Sequence, residues 1–479
     1  MVRRKLKYPG IHPLGERLGE CFARVRLSDN GAASLVAHLK QKAAPSLANL
    51  IVHGGRPLRG RVVPSANKNA VLPILCATLL TDEEVVLRGV PDITDARQII
   101  ELFGRLGSDV DMDFGAGVLR VRHVGRLDPR AARLPEGMRS SIMLIPALLA
   151  RLGEARIEGD VKGCTLGVRE IDPHIEVFQS FGVEVTPERG ALALSNRPRN
   201  GRAFAAASHW LDYASVTTTE NFALCAVTAD GTSTLTNAAC EPHVQELCAF
   251  LAKMGAKIEG VGASRLVVEG VQRLHGARHD FADDFHEIAT FLALGAITGG
   301  EVRVRNARPD QFPLIDRTFG KFGVEVTHAN GWSSARANGP LKVVHPFTAY
   351  ILPKVEAAPW PYLPVDLLPI FIALGVRAEG EMLYWNKVYE GALGWTSELA
   401  KFGAHALSCD PHRVITFGGK PLVPATVESP YIIRVAIALL MLAASIEGAS
   451  KILNADPIRR AHPRFVENLI ALGAEVEWA

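Results

Sequence analysis

Apolar and polar positions along this chain follow one pattern six times: an apolar helix end, a glycine, then alternating apolar and polar residues. The phrase reads LFGRLGSDVDM to Met112, VFQSFGVEVT to Thr186, FLAKMGAKIEG to Gly260, TFGKFGVEVT to Thr327, ELAKFGAHALS to Ser408 and LIALGAEVEW to Trp478. Its glycines, Gly107, Gly182, Gly255, Gly323, Gly403 and Gly473, lie 75, 73, 68, 80 and 70 residues apart, too long a period for a solenoid unit. Each glycine is expected in the left-handed position that ends an amphipathic helix. The period-two stretch after it predicts a strand with one buried face. Runs such as EVVLRGV, ARIEGDV, STLTNAA, EVRVRNA, EMLYWNK and SKILNAD predict a strand ahead of each helix. VLRVRHV and RLVVEGV read as hairpin partners that lead into a second helix. Each unit is therefore a mixed βαβαββ module of an α/β protein, with helices buried against sheets. Six units close either as one ring or as two groups of three. Three units make about 200 residues, a common domain size, so two lobes are favoured, with the cleft between them as the ligand site.

Composition narrows the classes. The 479 residues are 48% hydrophobic and 22% charged, ordinary globular values. The net charge is +3, but residues 1–48 hold nine Lys/Arg against three Asp/Glu, so the body of the chain is slightly acidic. That argues against a nucleic-acid binder. Seven cysteines form no CxxC pair, which fits free thiols in a reducing compartment and gives structural zinc no case. No HExxH run occurs among 15 histidines, so no metal is expected. The most apolar stretch, residues 431–446, contains Arg434 and is shorter than the roughly 20 apolar residues a bilayer span needs. With no apolar signal segment near the start, the expectation is a soluble cytoplasmic protein without membrane partners. Residues 1–48 stand outside the repeat and read as a poorly ordered arm, a short helix over residues 32–42, or an overlong start.

Candidate chemistry sits where polar loops open the second helix of each unit: SANKNA (65–70), EGMRSS (136–141), ASVTTTEN (214–221), DDFHEI (283–288), LPVDLL (363–368) and SPYIIR (429–434). Helix N-termini offer free N–H groups and a positive dipole end, and Lys68, Arg139 and Arg434 add full charges there. A phosphorylated ligand is the natural reading. The plainer one is that Ser65, Ser215, Asp284 and Asp366 cap or begin helices. Lys68 resists the plain reading, because a cation at a helix start costs a few tenths of a kcal/mol unless an anion meets it. A second segment, DVKGCTLGVREIDPH (160–174), sets Cys164 between Gly163 and Gly167 with Lys162 and Arg169 nearby. Such a cationic, glycine-flanked thiol suits a lid group, and a packing role is weighed equally with it. The other six cysteines read as buried packing residues.

Together these residues resemble the enolpyruvyl transferase family, and within it the branch acting on UDP-N-acetylglucosamine. The resemblance spans about Leu50 to Glu477 and rests on SANKNAVLP (65–73), MRSSI (138–142), GCTLGVREIDPH (163–174) and ADPIRR (455–460). It implies a two-lobed inside-out α/β barrel of six βαβαββ repeats: one lobe from residues 49–66 and 283–479, the other from residues 67–282. It implies transfer of the enolpyruvyl group of phosphoenolpyruvate to an acceptor hydroxyl with release of phosphate, and no cofactor. The catalytic set carried over is Lys68, Cys164, Asp366 and Arg460, with Cys164 the lid cysteine and Asp366 the carboxylate that takes the acceptor's proton. Phosphoenolpyruvate falls to Lys68, Arg139, Arg169, Arg434 and Arg460, where arginine forks suit carboxylate and phosphate. The nucleotide falls to Asn69, Arg169, Asp172, His174, Ser215, Val216, Asp366 and Val388.

Several positions depart from the family pattern. Val388-Tyr389-Glu390-Gly391-Ala392 stands for V-F-E-N-R, losing an arginine, and Ile432-Ile433-Arg434 stands for D-L-R, losing an acid. Arg459 replaces the acid of I-D-R and reads as charge compensation beside Arg460. Tyr213-Ala214-Ser215-Val216-Thr217 stands for K-V-S-V-G, losing a phosphate lysine and a glycine that admits close backbone approach. Arg169, Asp172 and His174 survive from R-P-V-D-L-H, the run that wraps uracil. This combination resembles the nikkomycin and polyoxin enzymes that place enolpyruvyl on the 3′-hydroxyl of UMP. The leading expectation is thus a uridine nucleotide acceptor, UMP, in nucleoside-antibiotic synthesis. UDP-N-acetylglucosamine in cell-wall synthesis is the second reading, and a non-catalytic binding protein, motivated by Ala392 and Ile432, the third.

Overall fold

The computed structural model describes residues 25–27, 48–135, 138–158, 170–197, 200–348 and 350–479. Within them the six repeat glycines all adopt positive φ, between 72° and 102°, the conformation for which a missing Cβ is an advantage. Each follows the helical segment expected of it: Thr94–Leu106, Asp172–Ser180, Pro242–Lys253, Pro313–Gly320, the 3₁₀ segment Gly394–Phe402, and Phe465–Ala471.

The sheets repeat one pattern. In the fourth unit Arg59–Val62 runs parallel to Glu301–Arg305, which pairs antiparallel with Trp332–Ala337, itself antiparallel to Val324–Ala329. The fifth repeats it with Lys354–Ala357, Gly380–Asn386, Arg413–Gly418 and His405–Asp410. The sixth uses Thr426–Glu428 and Gly448–Leu453, then borrows Leu50–Gly54 from the start of the chain, flanked by Glu475–Trp478. The first unit borrows Arg278–Asp280 alongside Val85–Arg88. The second unit departs from the pattern: among the described residues Glu154–Glu158, Ala191–Ser195 and Glu184–Glu188 form a three-stranded sheet.

The second helices of the units lie innermost. Phe285–Ile297 is buried along its whole length, and it packs with Leu368–Arg377 and Ile433–Ser445. The segment too short for a bilayer is therefore a core helix, buried from Val435 to Ala444. No helix of the described residues is long and apolar enough to cross a membrane. Apolar packing divides into two clusters: one joins Leu50–Val62 to Phe285–Val476, and the other covers Ala70–Leu274. The chain passes between them twice, side by side. Asn67 N–H donates to Ala282 O at 3.1 Å, and Asp284 N–H to Ser65 O at 2.9 Å.

Two expectations change. Cys76, Cys225, Cys240 and Cys248 are buried, but Cys409 is exposed, because the strand His405–Asp410 turns most of its residues to solvent. Of residues 1–48, only the strand Val25–Leu27, parallel to Val110–Met112, and residue 48 are described, so the arm, the helix over residues 32–42 and Cys21 lie outside the described residues.

Candidate active site

The inner helices open on polar loops, and several of their first turns carry charged groups held in ion pairs. Lys68 begins the helix Lys68–Thr78, whose N-cap is Asn67 rather than Ser65: Asn67 Oδ1 accepts from Asn69 N–H at 3.0 Å. The anion that offsets Lys68 comes from the protein. Asp95 Oδ2 lies 3.7 Å from Lys68 Nζ, and its other oxygen lies 3.5 Å from Arg460 Nη2. Asp95 belongs to the Ala70–Leu274 side and Arg460 to the other, so one carboxylate draws a cation from each core into one place. Arg460 keeps its side chain 46% exposed, free to turn to a ligand. Tyr431, at φ 61°, stands near Arg460 and Asp456, and burial raises its phenol. A bulky side chain in the left-handed region costs of order 1 kcal/mol, the kind of strain that clusters at functional sites.

Arg434 lies in the first turn of Ile433–Ser445 with its side chain 12% exposed. A cation there opposes the helix dipole, and three buried groups answer it. Nη2 is 3.7 Å from Asp284 Oδ2, and Nη1 donates to His462 Nε2 at 3.2 Å. His462 Nδ1 lies 3.4 Å from Glu287 Oε2, which also accepts the Ser65 N–H at 2.9 Å. Asp284 does cap its helix, accepting from His286 N–H at 2.9 Å, but it is also this counter-ion. The His286 and Arg434 partners hold its carboxyl well below the usual carboxylate range despite complete burial. Asp284, Glu287 and His462 are grouped closely enough to hold a metal ion. The guanidinium already supplies the cation, and since Arg434 donates to Nε2, the neutral ring must carry its proton on Nδ1, where a metal would need a lone pair.

Asp366 stands in the 3₁₀ turn Val365–Leu367 ahead of Leu368–Arg377, with Oδ2 4.0 Å from His286 Nε2. Across the same junction, Glu241 accepts from Trp360 N–H at 3.2 Å, and burial, with the Asp366 charge a lesser cause, raises its carboxyl. Lys68, Arg434, Arg460 and Asp366 are thus tied to one junction by Asp95, Asp284, Glu287 and His286.

The nucleotide set divides. Asp172 is exposed at a helix start, while Asn69, Ser215, Val216 and Val388 are half-buried. Ser215 makes no capping bond; its hydroxyl pairs with Thr218 Oγ1 at 2.7 Å. His174 is 2% exposed and spent inside the protein, with Asn221 Nδ2 donating to Nδ1 at 2.9 Å and Thr217 Oγ1 at 3.3 Å from Nε2. These contacts tie it to the helix Val216–Ala226. Burial, aided by the Arg139 charge, pushes this ring down to about 3. Arg139 donates to Glu170 O at 2.9 Å. Cys164 and Arg169 lie outside the described residues. Arg459, read as replacing charge beside Arg460, instead lies 4.1 Å over the Trp478 ring. Ala392 and Ile432 are both buried, as apolar substitutes for lost charges should be. A cavity of about 460 Å³ between Leu314 and Leu363 is lined by none of these residues.

Burial also pushes His123 and His243 down to about 3. In the unfolded chain these rings and His174 take up protons near pH 6.5. The unfolded state therefore binds more protons below that pH, and stability falls as pH drops from 6.5 towards 3. We expect the thermal midpoint to fall progressively over that window, and less steeply in His174→Gln. A midpoint flat from pH 7 to 4.5 would contradict it.

Asp95, Asp284, Glu287, His286 and His462 were not legible as site residues from spacing alone. One signal was present: Asp284 and Glu287, three apart, open a helix that is otherwise apolar, and two acids so placed must be buried and need cations.

Comparison with known proteins follows the same lines. Residues 52–469 match the family model described as EPSP synthase (3-phosphoshikimate 1-carboxyvinyltransferase). The chain is 34% identical over 430 residues to the UDP-N-acetylglucosamine 1-carboxyvinyltransferase of Borrelia garinii subsp. bavariensis, covering 89% of this chain and 98% of the relative. It is 36% identical over 434 residues to the enzyme of the same name from Bradyrhizobium diazoefficiens, covering 89% and 97%. Its fold is similar to that of the enolpyruvyl transferase NikO from Streptomyces tendae, with TM-score 0.77 at 22% identity over 91% of this chain and 99% of that one. An EPSP synthase from Acinetobacter baumannii gives TM-score 0.68 at 16% identity over 90% and 100%. With six modules in an inside-out α/β barrel and a match across nearly its whole body, the chain belongs to the enolpyruvyl transferase family.

Proposed function

We propose that this enzyme transfers the enolpyruvyl group of phosphoenolpyruvate to the 3′-hydroxyl of UMP, releasing phosphate. The observation that supports the donor is a pair of cationic clusters where the chain crosses between the cores: Lys68 and Arg460 share Asp95, and Arg434 sits on Asp284. A three-carbon ligand with a carboxylate and a phosphate carries nearly three negative charges, and two guanidinium forks with an ammonium match it. Arg460 and Lys68 share one carboxylate at 3.5 and 3.7 Å, a loose pairing that a phosphate can outbid. The acceptor oxygen attacks C2 of phosphoenolpyruvate while Asp366 takes its proton and C3 takes one from water. Return of a C3 proton to water with cleavage of the C2–O bond to phosphate then leaves the enol ether. The cations stabilise charge that grows on the departing phosphate, in a site partly closed to water.

For the acceptor, the Tyr213–Thr217 run supports UMP: it lacks the lysine and the glycine that would hold a second phosphate and let backbone approach it. UDP-N-acetylglucosamine is the second reading, favoured by relatives of that name at 34–36% identity over nearly their whole length. Phosphate release measured with phosphoenolpyruvate and each nucleotide separately decides. We expect kcat/KM at least 10²-fold higher with UMP, the size of discrimination that matched polar contacts give. Turnover confined to the sugar nucleotide would replace the first reading by the second. Absence of phosphate release with both would point to a binding protein.

A further inference from the structure

Asp284, His286 and Asp366 form a line that capping and counter-ion roles do not account for. Asp284 Oδ1 accepts twice from His286, from the backbone N–H at 2.9 Å and from ring Nδ1 at 3.0 Å. On the far side of the ring, Nε2 lies 4.0 Å from Asp366 Oδ2. The imidazole is 3% exposed and rests on the Phe285 ring, centroids 3.9 Å apart. Asp284 is 1% exposed and Asp366 36%, so the line runs from the interior to the surface of the junction.

A carboxylate can only accept, so the nitrogen against Asp284 carries the hydrogen. In the neutral ring the other nitrogen then presents a lone pair, and that is the one facing Asp366. The other charged groups around the ring leave this arrangement intact. His243, at the start of Pro242–Lys253, is kept neutral by burial. Arg434 engages the opposite oxygen of Asp284 at 3.7 Å, while His462 and Glu287 sit beyond Arg434. Glu241 borders Asp366 from the other core, and burial raises its carboxyl.

Building on the proposed transfer reaction, we infer that His286 is a positioning residue for Asp366, an imidazole locked by Asp284 that takes over the proton Asp366 collects from the acceptor hydroxyl. The acceptor O–H bond breaks as the O–C2 bond forms, and the proton arrives on Asp366. It then passes to His286 Nε2, restoring the carboxylate and leaving an imidazolium between Asp284 and Asp366. After phosphate departs, the proton returns through Asp366 to water. Nothing is oxidised or reduced. The 4.0 Å gap closes with a small rotation of the half-exposed Asp366 side chain, as catalytic hydrogen bonds often tighten only around substrate.

The test is His286→Gln, which keeps a polar side chain but cannot take up a proton. The expected result is a kcat about 10²-fold lower, the usual size of a lost proton handler. KM for phosphoenolpyruvate should stay within about twofold, since the cations are untouched, a split that marks loss of transition-state stabilisation alone. The low-pH limb of the kcat profile should move to lower pH, because protonation of His286 no longer blocks the transfer. A normalised pH profile superimposable on that of the parent would overturn the inference. A second measurement needs no turnover: ¹⁵N spectroscopy of the free enzyme at pH 8 should show the Nδ1–H tautomer at His286. The Nε2–H tautomer would overturn it even if enolpyruvyl transfer stands. A parent enzyme that releases no phosphate with any uridine nucleotide would instead sink the transfer reading, and the inference with it.

Discussion

Replacing Lys68 by alanine is expected to lower kcat for phosphate release about 10³-fold, the cost of removing a preorganised positive group from a water-poor site. Lys68 is the cation at the start of Lys68–Thr78, and its ammonium adds to the dipole of that helix at one point. Among the described residues Asp95 offsets it, at 3.7 Å, and Arg460 competes for the same carboxylate. Without Lys68, Asp95 draws Arg460 to itself, so the variant weakens two cations at once. Lys68→Arg should not restore the rate, because a planar fork cannot occupy the place of a point charge. The fold should survive, since a loose ion pair whose lysine is one quarter exposed contributes about 1 kcal/mol at most. Phosphate release and thermal unfolding measured together check this. A well-folded Lys68→Ala enzyme within tenfold of the parent rate would remove Lys68 from the reaction.

Arg434→Ala should cost stability as well as turnover. Its guanidinium answers Asp284 directly and Glu287 through His462, and the two acids are 1% and 0% exposed at the side chain. Removing one partner from a buried ionic group typically costs about 3–5 kcal/mol, because the remaining charge has neither water nor counter-ion. For a lobe of this size that lowers the thermal midpoint by roughly 10 °C. The pH dependence has a definite sign. Asp284 is held below its unfolded value, so it contributes stability above about pH 4 that is lost on acidification. Without Arg434 that contribution shrinks, and parent and variant should converge in stability as the pH falls below 4. Arg434→Lys should recover part of the stability and little of the rate, since an ammonium cannot reach Asp284 and His462 together. Denaturation at pH 7.5 and at about pH 2.5 reads out both effects. An Arg434→Ala protein as stable as the parent at pH 7.5 would show that the buried acids are neutral.

What the sequence made legible follows from range. Glycine at a left-handed helix end and period-two strands are local signals, and all six repeat glycines and the strands before and after them lie where those signals put them. The cations at helix starts were equally local, so Lys68 and Arg434 could be picked out without knowing their neighbours. Their counter-ions could not. Asp95 is 27 residues from Lys68 and hundreds from Arg460, and nothing in its own surroundings distinguishes it from an ordinary first-turn acid. The same holds for His462, whose value lies wholly in standing between Arg434 and Glu287. His174 shows the converse: its motif pointed to a ligand, while burial against Asn221 and Thr217 turned it inward. Arg459 likewise looked like a replaced charge until the Trp478 ring appeared beneath it.

The borrowed strands have a consequence for synthesis. Leu50–Gly54 leaves the ribosome long before both its neighbours, Gly448–Leu453 and Glu475–Trp478. Arg59–Val62 must likewise wait for Glu301–Arg305. The Ala70–Leu274 cluster, by contrast, has all its apolar side chains emerged well before the chain is finished. The middle of the polypeptide therefore gathers its apolar side chains first, while Leu50–Gly54 waits for both of its neighbours. Removing Glu475–Trp478 would leave one side of Leu50–Gly54 without its ladder partner.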